Sequence, residues 1–137
     1  MTRNQKSLVQ KSFQSVEAIA DTTATLFYEK LFELNPSLKS MFEGDTQEQG
    51  RKFMTMISAA VSVLDRFEEI IPALQALGAR HAGYGVSYED YDTVGKALMW
   101  TLQTVLDGQF TPEVEEAWSV VYASLADTMK SAASMAA

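Results

Sequence analysis

The chain contains one histidine, His81, and no cysteine, so the metal chemistry open to it is narrow. A protein zinc site is built from three or four histidine, cysteine or carboxylate ligands, and an iron–sulfur cluster needs cysteines. A single imidazole is enough when the cofactor itself fills the equatorial coordination positions, as haem does. The sequence therefore raises one question, which is whether the other residues build a haem pocket around His81.

His81 is predicted to lie near the end of a helix, on a face that it shares with apolar residues. Leu74, Leu77, Gly78 and His81 follow the three- and four-residue spacing of one helix face. Pro72 suits the first turn of this helix. Gly78 is interpreted as leaving room for a flat, bulky group one turn before the histidine. A lone histidine on such a face is more often an ordinary hydrogen-bonded core residue, so both interpretations stand at this point.

Four other positions are candidates for contact with a planar ligand or with a gas bound to it. They are Tyr28, Phe42, Gln49 and Phe53. The Phe42 ring would stack on a planar group, and the Gln49 amide, one turn before Phe53, would donate a hydrogen bond. A buried tyrosine needs a partner for its hydroxyl, which for Tyr28 is either a backbone carbonyl or a ligand. The alternatives are ordinary core packing for the aromatic residues and a surface position for Gln49.

Composition limits the possible partners of the chain. Its 137 residues predict a single domain covering 1–137, and 18 acidic against 11 basic residues give a formal net charge of −7. This charge argues against a basic nucleic-acid-binding face and against anchoring on an anionic membrane. No signal peptide or membrane span is predicted, and the lack of cysteine fits a reducing compartment. We therefore expect a cytoplasmic protein that binds neither nucleic acid nor membrane.

Helical periodicity predicts an all-α fold. Apolar residues recur at helical spacing nearly throughout, with no strand alternation and no internal repeat. We count six substantial helices, plus a short turn that begins at Asn35-Pro36. Asn4 is a candidate cap for the first helix, and Gly83 and Gly85 are expected to end the helix that carries His81. Thr111-Pro112-Glu113 is typical of a helix start, and the last helix is placed after it.

Five segments carry a resemblance to a known family. They are Asn35-Pro36 with Leu38 to Phe42, Gln49 to Met54, Leu77 to His81 with Gly85-Val86, Tyr91 to Gly95, and Phe110 to Pro112 with Ala117-Trp118 and Tyr122. Their order and spacing, with 32 residues from Gln49 to His81, resemble the globin superfamily over essentially the whole chain. The pattern is similar to single-domain bacterial globins and to the neuroglobin-like and flavohaemoglobin-type branches. The resemblance implies a globin fold, with six main helices and a short C-type turn around a haem b pocket.

By this resemblance, His81 is the iron ligand. Phe42 packs on the haem, Tyr28 and Gln49 reach the bound gas, and Phe53 lies above the haem on the gas-binding side. The other haem contacts that the resemblance implies are Leu77, Val86, Tyr91 and Val94, with Lys52, Arg80 and Tyr84 as candidates for binding the propionates.

Two departures from the family pattern affect the expected function. With no second histidine, a bis-histidyl iron is excluded within one chain. The flavohaemoglobin glutamate near the iron-binding histidine is matched by Ala133, which weakens the case for redox catalysis.

The resemblance implies reversible binding of O2, NO or CO, with oxygen storage or delivery as the role, by a monomer or weak homodimer. The alternatives are an NO dioxygenase, a stand-alone haem-based gas sensor and a haem-free helical domain. The chain has no room for flavin and nicotinamide domains, so an NO dioxygenase would need a separate reductase.

Overall fold

Six α-helices make up most of the computed structural model, which describes residues 1–41, 46–83 and 85–136. The helices are α1 (Arg3–Glu17), α2 (Ala20–Leu34), α3 (Thr46–Ser62), α4 (Phe67–Gly83), α5 (Tyr88–Leu106) and α6 (Pro112–Ala136). Short 3₁₀ helices cover Pro36–Met41, Leu64–Arg66 and Asp107–Gln109. The described ranges contain no strand, which confirms the predicted all-α architecture of six helices and a short turn after Asn35. None of the described helices is long and apolar enough to span a membrane.

Local capping chemistry explains where several helices begin and end. The Thr111 hydroxyl accepts a hydrogen bond from the Val114 amide at 3.3 Å, which confirms the predicted start of α6. Helix α4 ends at Gly83, and Gly85 adopts a φ of 85°, a left-handed conformation that glycine tolerates best. The cap of α1 is Thr2 rather than Asn4, because Thr2 and Gln5 exchange hydrogen bonds in a capping box.

The predicted position of Pro72 in the first turn of its helix is wrong. Helix α4 begins at Phe67, so Pro72 lies inside it and has no amide proton to give the carbonyl of Glu68. Phe67 and Ile70 pack against the core before the proline. Glu68 also lies in the first turn, where the helix dipole favours a carboxylate. The packing of these apolar side chains and the Glu68 carboxylate therefore stabilise a helix start at Phe67, before the position that the proline indicates.

The apolar core consists of two clusters, and α3 and α4 belong to different ones. The main cluster joins α1, α2, α3, α5 and α6, and the smaller one comprises Leu74, Tyr91, Ala126 and Met129 with their neighbours. Helix α3 packs mainly on α2 and α1, whereas α4 packs mainly on α6. Neither α3 nor α4 has the other as a main packing partner.

Gly78 provides space for another helix rather than for a ligand. A Cβ atom on Gly78 would lie 2.3 Å from the Met129 carbonyl oxygen and 2.7 Å from the Met129 Cα atom. The backbone of α6 therefore occupies the space that we interpreted as room for a flat group, and that interpretation is wrong. The close approach instead fixes α4 on α6, and with it the position of His81 at the end of α4.

Candidate functional site

The His81 ring is oriented by its own helix. His81 lies in the last turn of α4, and its Nδ1 atom is 2.8 Å from the Leu77 carbonyl oxygen one turn earlier. A carbonyl oxygen only accepts hydrogen bonds, so Nδ1 carries the proton and donates it. A ring protonated at Nδ1 presents the Nε2 lone pair, which is the arrangement found in most metal-binding histidines.

The surroundings of His81 favour a neutral imidazole. Partial burial lowers the pKa of His81, and the adjacent Arg80 guanidinium lowers it further, while the hydrogen bond to Leu77 acts in the opposite direction. The net effect is a pKa below the ordinary value of about 6.5. Because a metal binds only the neutral ring, the site keeps His81 ready to bind a metal at neutral pH.

Tyr91 packs beside His81 and presents an unsatisfied hydroxyl. The two ring centroids are 6.4 Å apart, and Tyr91 is 6% exposed. Its hydroxyl is buried and has no hydrogen-bond partner, the one such side-chain atom among the residues that the structure describes. Burial raises the pKa of Tyr91, with Tyr88 adding to the effect, so the hydroxyl remains a protonated donor. A buried donor without an acceptor is costly in a finished core, and it fits a site that a further group completes.

An aromatic cluster joins α2 and α3. The Phe27 and Phe53 rings stack with centroids 4.3 Å apart and planes 9° apart, and the Tyr28 ring packs edge-on against both. The Tyr28 hydroxyl donates to the Gln49 backbone carbonyl at 3.4 Å, which is long for a hydrogen bond of this type. Burial raises the pKa of Tyr28 to about 12. Its hydroxyl is therefore a protonated donor at neutral pH, and its bond to the Gln49 carbonyl is a long one.

Apolar side chains predicted to contact haem are half-buried. Phe53 and Val94 pack against the main cluster, and Leu77 and Val86 against the smaller one, yet each keeps accessible surface. A flat apolar group packed on that surface would cover it and gain about 25 cal/mol for each Å² removed from water. Together with the His81 tautomer and the Tyr91 hydroxyl, the donor set and the apolar surface fit a haem.

The remaining predicted site residues lie at the periphery or outside the described parts. Gln49 is half-buried, whereas Lys52 and Arg80 are exposed. The Lys52 ammonium is 3.9 Å from the Glu48 carboxylate, in an exposed ion pair. Phe42 and Tyr84 lie outside the described residues.

Two contributors to the site were missed by sequence reasoning. Phe27 was not among the predicted site residues, although it stacks on Phe53. The Tyr122 hydroxyl donates to the Tyr91 carbonyl at 2.6 Å and so holds the start of α5 on α6. Gly95 makes this approach possible, because a Cβ there would lie 2.9 Å from the Tyr122 ring. A glycine inside an otherwise regular helix was the available signal.

Comparison with known proteins finds a matching family model and several related proteins. A family model described as Globin matches residues 25–129. The chain is 27% identical over 129 residues to a flavohemoprotein of Vibrio cholerae, covering 92% of this chain and 33% of the relative. It is 33% identical over 115 residues to a flavohemoprotein of Rhodopirellula baltica, covering 82% of this chain and 28% of the relative. A flavohemoprotein of Oceanobacillus iheyensis is 33% identical over 104 residues, or 74% of this chain and 26% of the relative. The chain thus spans about a third or less of the length of these curated relatives.

Proposed function

This chain belongs to the globin family, and on that premise we propose that it binds haem b through His81 and reversibly binds dioxygen and other diatomic gases. Haem binding is what membership of the family implies. The assignment of His81, and of the residues around it, comes from the family resemblance, and the orientation of the His81 ring supports it.

The observation that carries the proposal is the orientation and charge state of His81. The Nδ1–H group is bonded to Leu77, and the lowered pKa keeps the ring neutral. No other histidine or cysteine is available in the sequence to replace it as the axial ligand.

Different residues would hold the cofactor and its ligand. When bound, haem supplies a ferrous iron that binds diatomic gases. Leu77, Val86 and Val94 would cover the porphyrin and keep water away from it. Tyr28 would turn its hydroxyl from the Gln49 carbonyl towards the gas and donate a hydrogen bond. A donor of this kind stabilises dioxygen more than carbon monoxide, because bound dioxygen carries more negative charge.

A gas titration of the reconstituted protein tests this function. The ferrous protein should give a Soret band that shifts reversibly when dioxygen is added and removed, and shifts again with carbon monoxide. Rapid irreversible oxidation by dioxygen, without a reversible spectrum, would contradict oxygen storage or delivery.

A second candidate is a redox reaction driven by a separate reductase. The relatives are named flavohemoproteins, a name that joins a flavin with a haem, and this chain matches a third or less of their length. An NO dioxygenase would combine one NO with one O2 to give nitrate, and the reductase would supply the one electron that restores ferrous iron. Multiple turnovers to nitrate with a flavin reductase would favour this function, and a single turnover would favour oxygen binding.

Cytoplasmic location and the monomeric or weakly dimeric state also stay predictions.

A further inference from the structure

Lys130 brings a positive charge to the side of the site that carries His81. It lies in the last part of α6, and its ammonium is 5.7 Å from the centre of the Tyr91 ring and 5.9 Å from that of the Tyr88 ring. At these distances a cation is attracted to an aromatic ring. The Tyr88 hydroxyl also donates to the Lys130 backbone carbonyl at 3.1 Å. These contacts hold the end of α6 at the start of α5 and fix the position of the ammonium.

The ammonium is close enough to His81 for its charge to act there. The centroid of the Tyr91 ring is 6.4 Å from that of His81 and 5.7 Å from the Lys130 Nζ atom. The ammonium therefore lies at most about 12 Å from the centre of the His81 ring. Tyr91 is buried and belongs to the smaller apolar cluster. An apolar interior screens a charge far less than water does, so the effect of the ammonium extends to the iron ligand.

The carboxylate of Asp92 only partly offsets this charge. Its Oδ1 atom is 3.7 Å from the Lys130 Nζ atom, but the Asp92 side chain is 73% exposed and that of Lys130 only 24% exposed. Water and salt screen an exposed carboxylate strongly, whereas the ammonium faces the tyrosine rings. Arg80, which precedes His81 in the chain, is exposed as well. Of these three charges, that of Lys130 is the best covered.

We propose that Lys130 raises the reduction potential of a haem held by His81 and so favours the ferrous state that binds dioxygen. The proposal rests on the proposed haem function and adds a residue that controls the oxidation state of the iron. Reduction of ferric haem takes one electron from an external donor and removes one positive charge from the site. A nearby cation destabilises the more positive ferric form, so it shifts the equilibrium towards the ferrous form.

Equilibration of the haem-loaded protein with a redox dye, whose reduced form donates the electron, tests the proposal. Lys130→Met keeps most of the stem and removes the charge. It should lower the ratio of ferrous to ferric haem at a fixed dye potential about threefold. Lys130→Glu reverses the charge and should lower the ratio about tenfold, or about 59 mV for a one-electron couple. Asp92→Asn should raise the ratio by up to about threefold, because the lysine charge loses its partner. Disturbed packing alone would not give opposite signs for the two members of one ion pair.

Lys130→Arg and Lys11→Met are the matched controls. The first keeps the charge on α6 and should leave the ratio of ferrous to ferric haem within about twofold of the wild type. Lys11 is exposed on α1, which packs mainly on α6 and α3 rather than on α4. Its substitution removes the same charge outside the histidine side of the site, so the ratio should again stay within about twofold. An unchanged ratio in Lys130→Met and Lys130→Glu, or an equal fall in Lys11→Met, would overturn the proposal.

Failure of the proposed function is distinguishable from failure of this inference. A wild-type protein that takes up no haem would remove both, since there would be no iron to reduce. A protein that takes up haem and binds dioxygen reversibly, but whose Lys130 variants keep the wild-type reduction potential, would remove the role of Lys130 alone.

Discussion

The two sides of the proposed haem site differ in whether the tyrosine hydroxyl on each side has a hydrogen-bond partner within the polypeptide. On the side of the aromatic cluster Phe27, Tyr28 and Phe53, the rings pack on one another and the Tyr28 hydroxyl has an acceptor in the Gln49 backbone. On the side of His81, the Tyr91 hydroxyl is buried without a partner in the described part of the chain. A native core seldom leaves a buried hydroxyl unsatisfied. The contrast indicates that the chain satisfies the tyrosine hydroxyl on the first side itself and leaves the one on the second side to be satisfied by a further group.

The helix contacts that hold the two sides are expected to differ in their sensitivity to an added methyl group. In Gly78→Ala, the new Cβ meets the backbone of Met129 at 2.3 Å, and backbone atoms cannot move aside cheaply. We expect a loss of about 3 kcal/mol in the free energy of unfolding. Gly50→Ala, which meets a side-chain Cβ at 2.8 Å, should lose less, about 1–2 kcal/mol. Denaturant unfolding of the haem-free variants measures both.

Gly83→Ala is the control for these substitutions, since nothing lies within 4 Å of the added atom. Its stability should stay within about 0.5 kcal/mol of the wild type. A Gly78 variant as stable as the Gly83 variant would show that α4 and α6 do not approach as described.

On the aromatic side, Tyr28→Phe should raise the dioxygen dissociation rate by roughly one to two orders of magnitude. The estimate follows from losing a hydrogen bond to a charged partner, about 1.5–3 kcal/mol. The carbon monoxide dissociation rate should change far less. Gln49→Leu should act in the same direction, and the double variant should show less than the additive effect if both donate to one oxygen. Stopped-flow displacement measures all three, and unchanged dioxygen rates throughout would remove these residues from the gas-binding side.

Two tyrosine hydroxyls on the histidine side should respond in opposite ways in the haem-free protein. Tyr122→Phe removes a bonded hydroxyl and should cost about 1 kcal/mol. Tyr91→Phe removes an unsatisfied one and should leave stability unchanged or raise it by up to about 1 kcal/mol. Thermal unfolding of the two variants makes the comparison. Equal losses would mean that the Tyr91 hydroxyl already has a partner before haem is added.

The smallest expected effect is on the pH dependence of stability. The lowered pKa of His81 means that the unfolded chain binds more protons than the folded one below about pH 6.5. In the haem-free protein, the stability that comes from a neutral His81 should therefore be fully present above about pH 6.5. The free energy of unfolding should then fall as the pH drops from about 6.5 towards the folded pKa. His81→Ala should flatten this part of the curve, because the chain has no other histidine. A slope that persists in the variant would assign the effect to another group.

Sequence reasoning predicted the helices better than the contacts between them. The start at Thr111-Pro112 and the end at Gly83 follow from local capping chemistry, which a sequence shows directly. Gly78 was misread because a glycine indicates space without indicating what fills it. The pairing of Tyr122 with Tyr91 joins residues 31 positions apart, and Gly95 indicates a close approach there without indicating which residue makes it. Pro72 was misplaced because tertiary packing of Phe67 offset a local preference.

Titration of the haem-free protein with haemin, followed by absorption, tests the central claim most directly. The wild type should bind one equivalent and develop a Soret band. After reduction without gas, its spectrum should be that of five-coordinate iron with one histidine ligand. His81→Ala should not retain haem, and added imidazole should restore part of the band by replacing the missing ligand. A His81→Ala protein that binds haem as tightly as the wild type, with an unchanged spectrum, would contradict the assignment of His81 as the iron ligand.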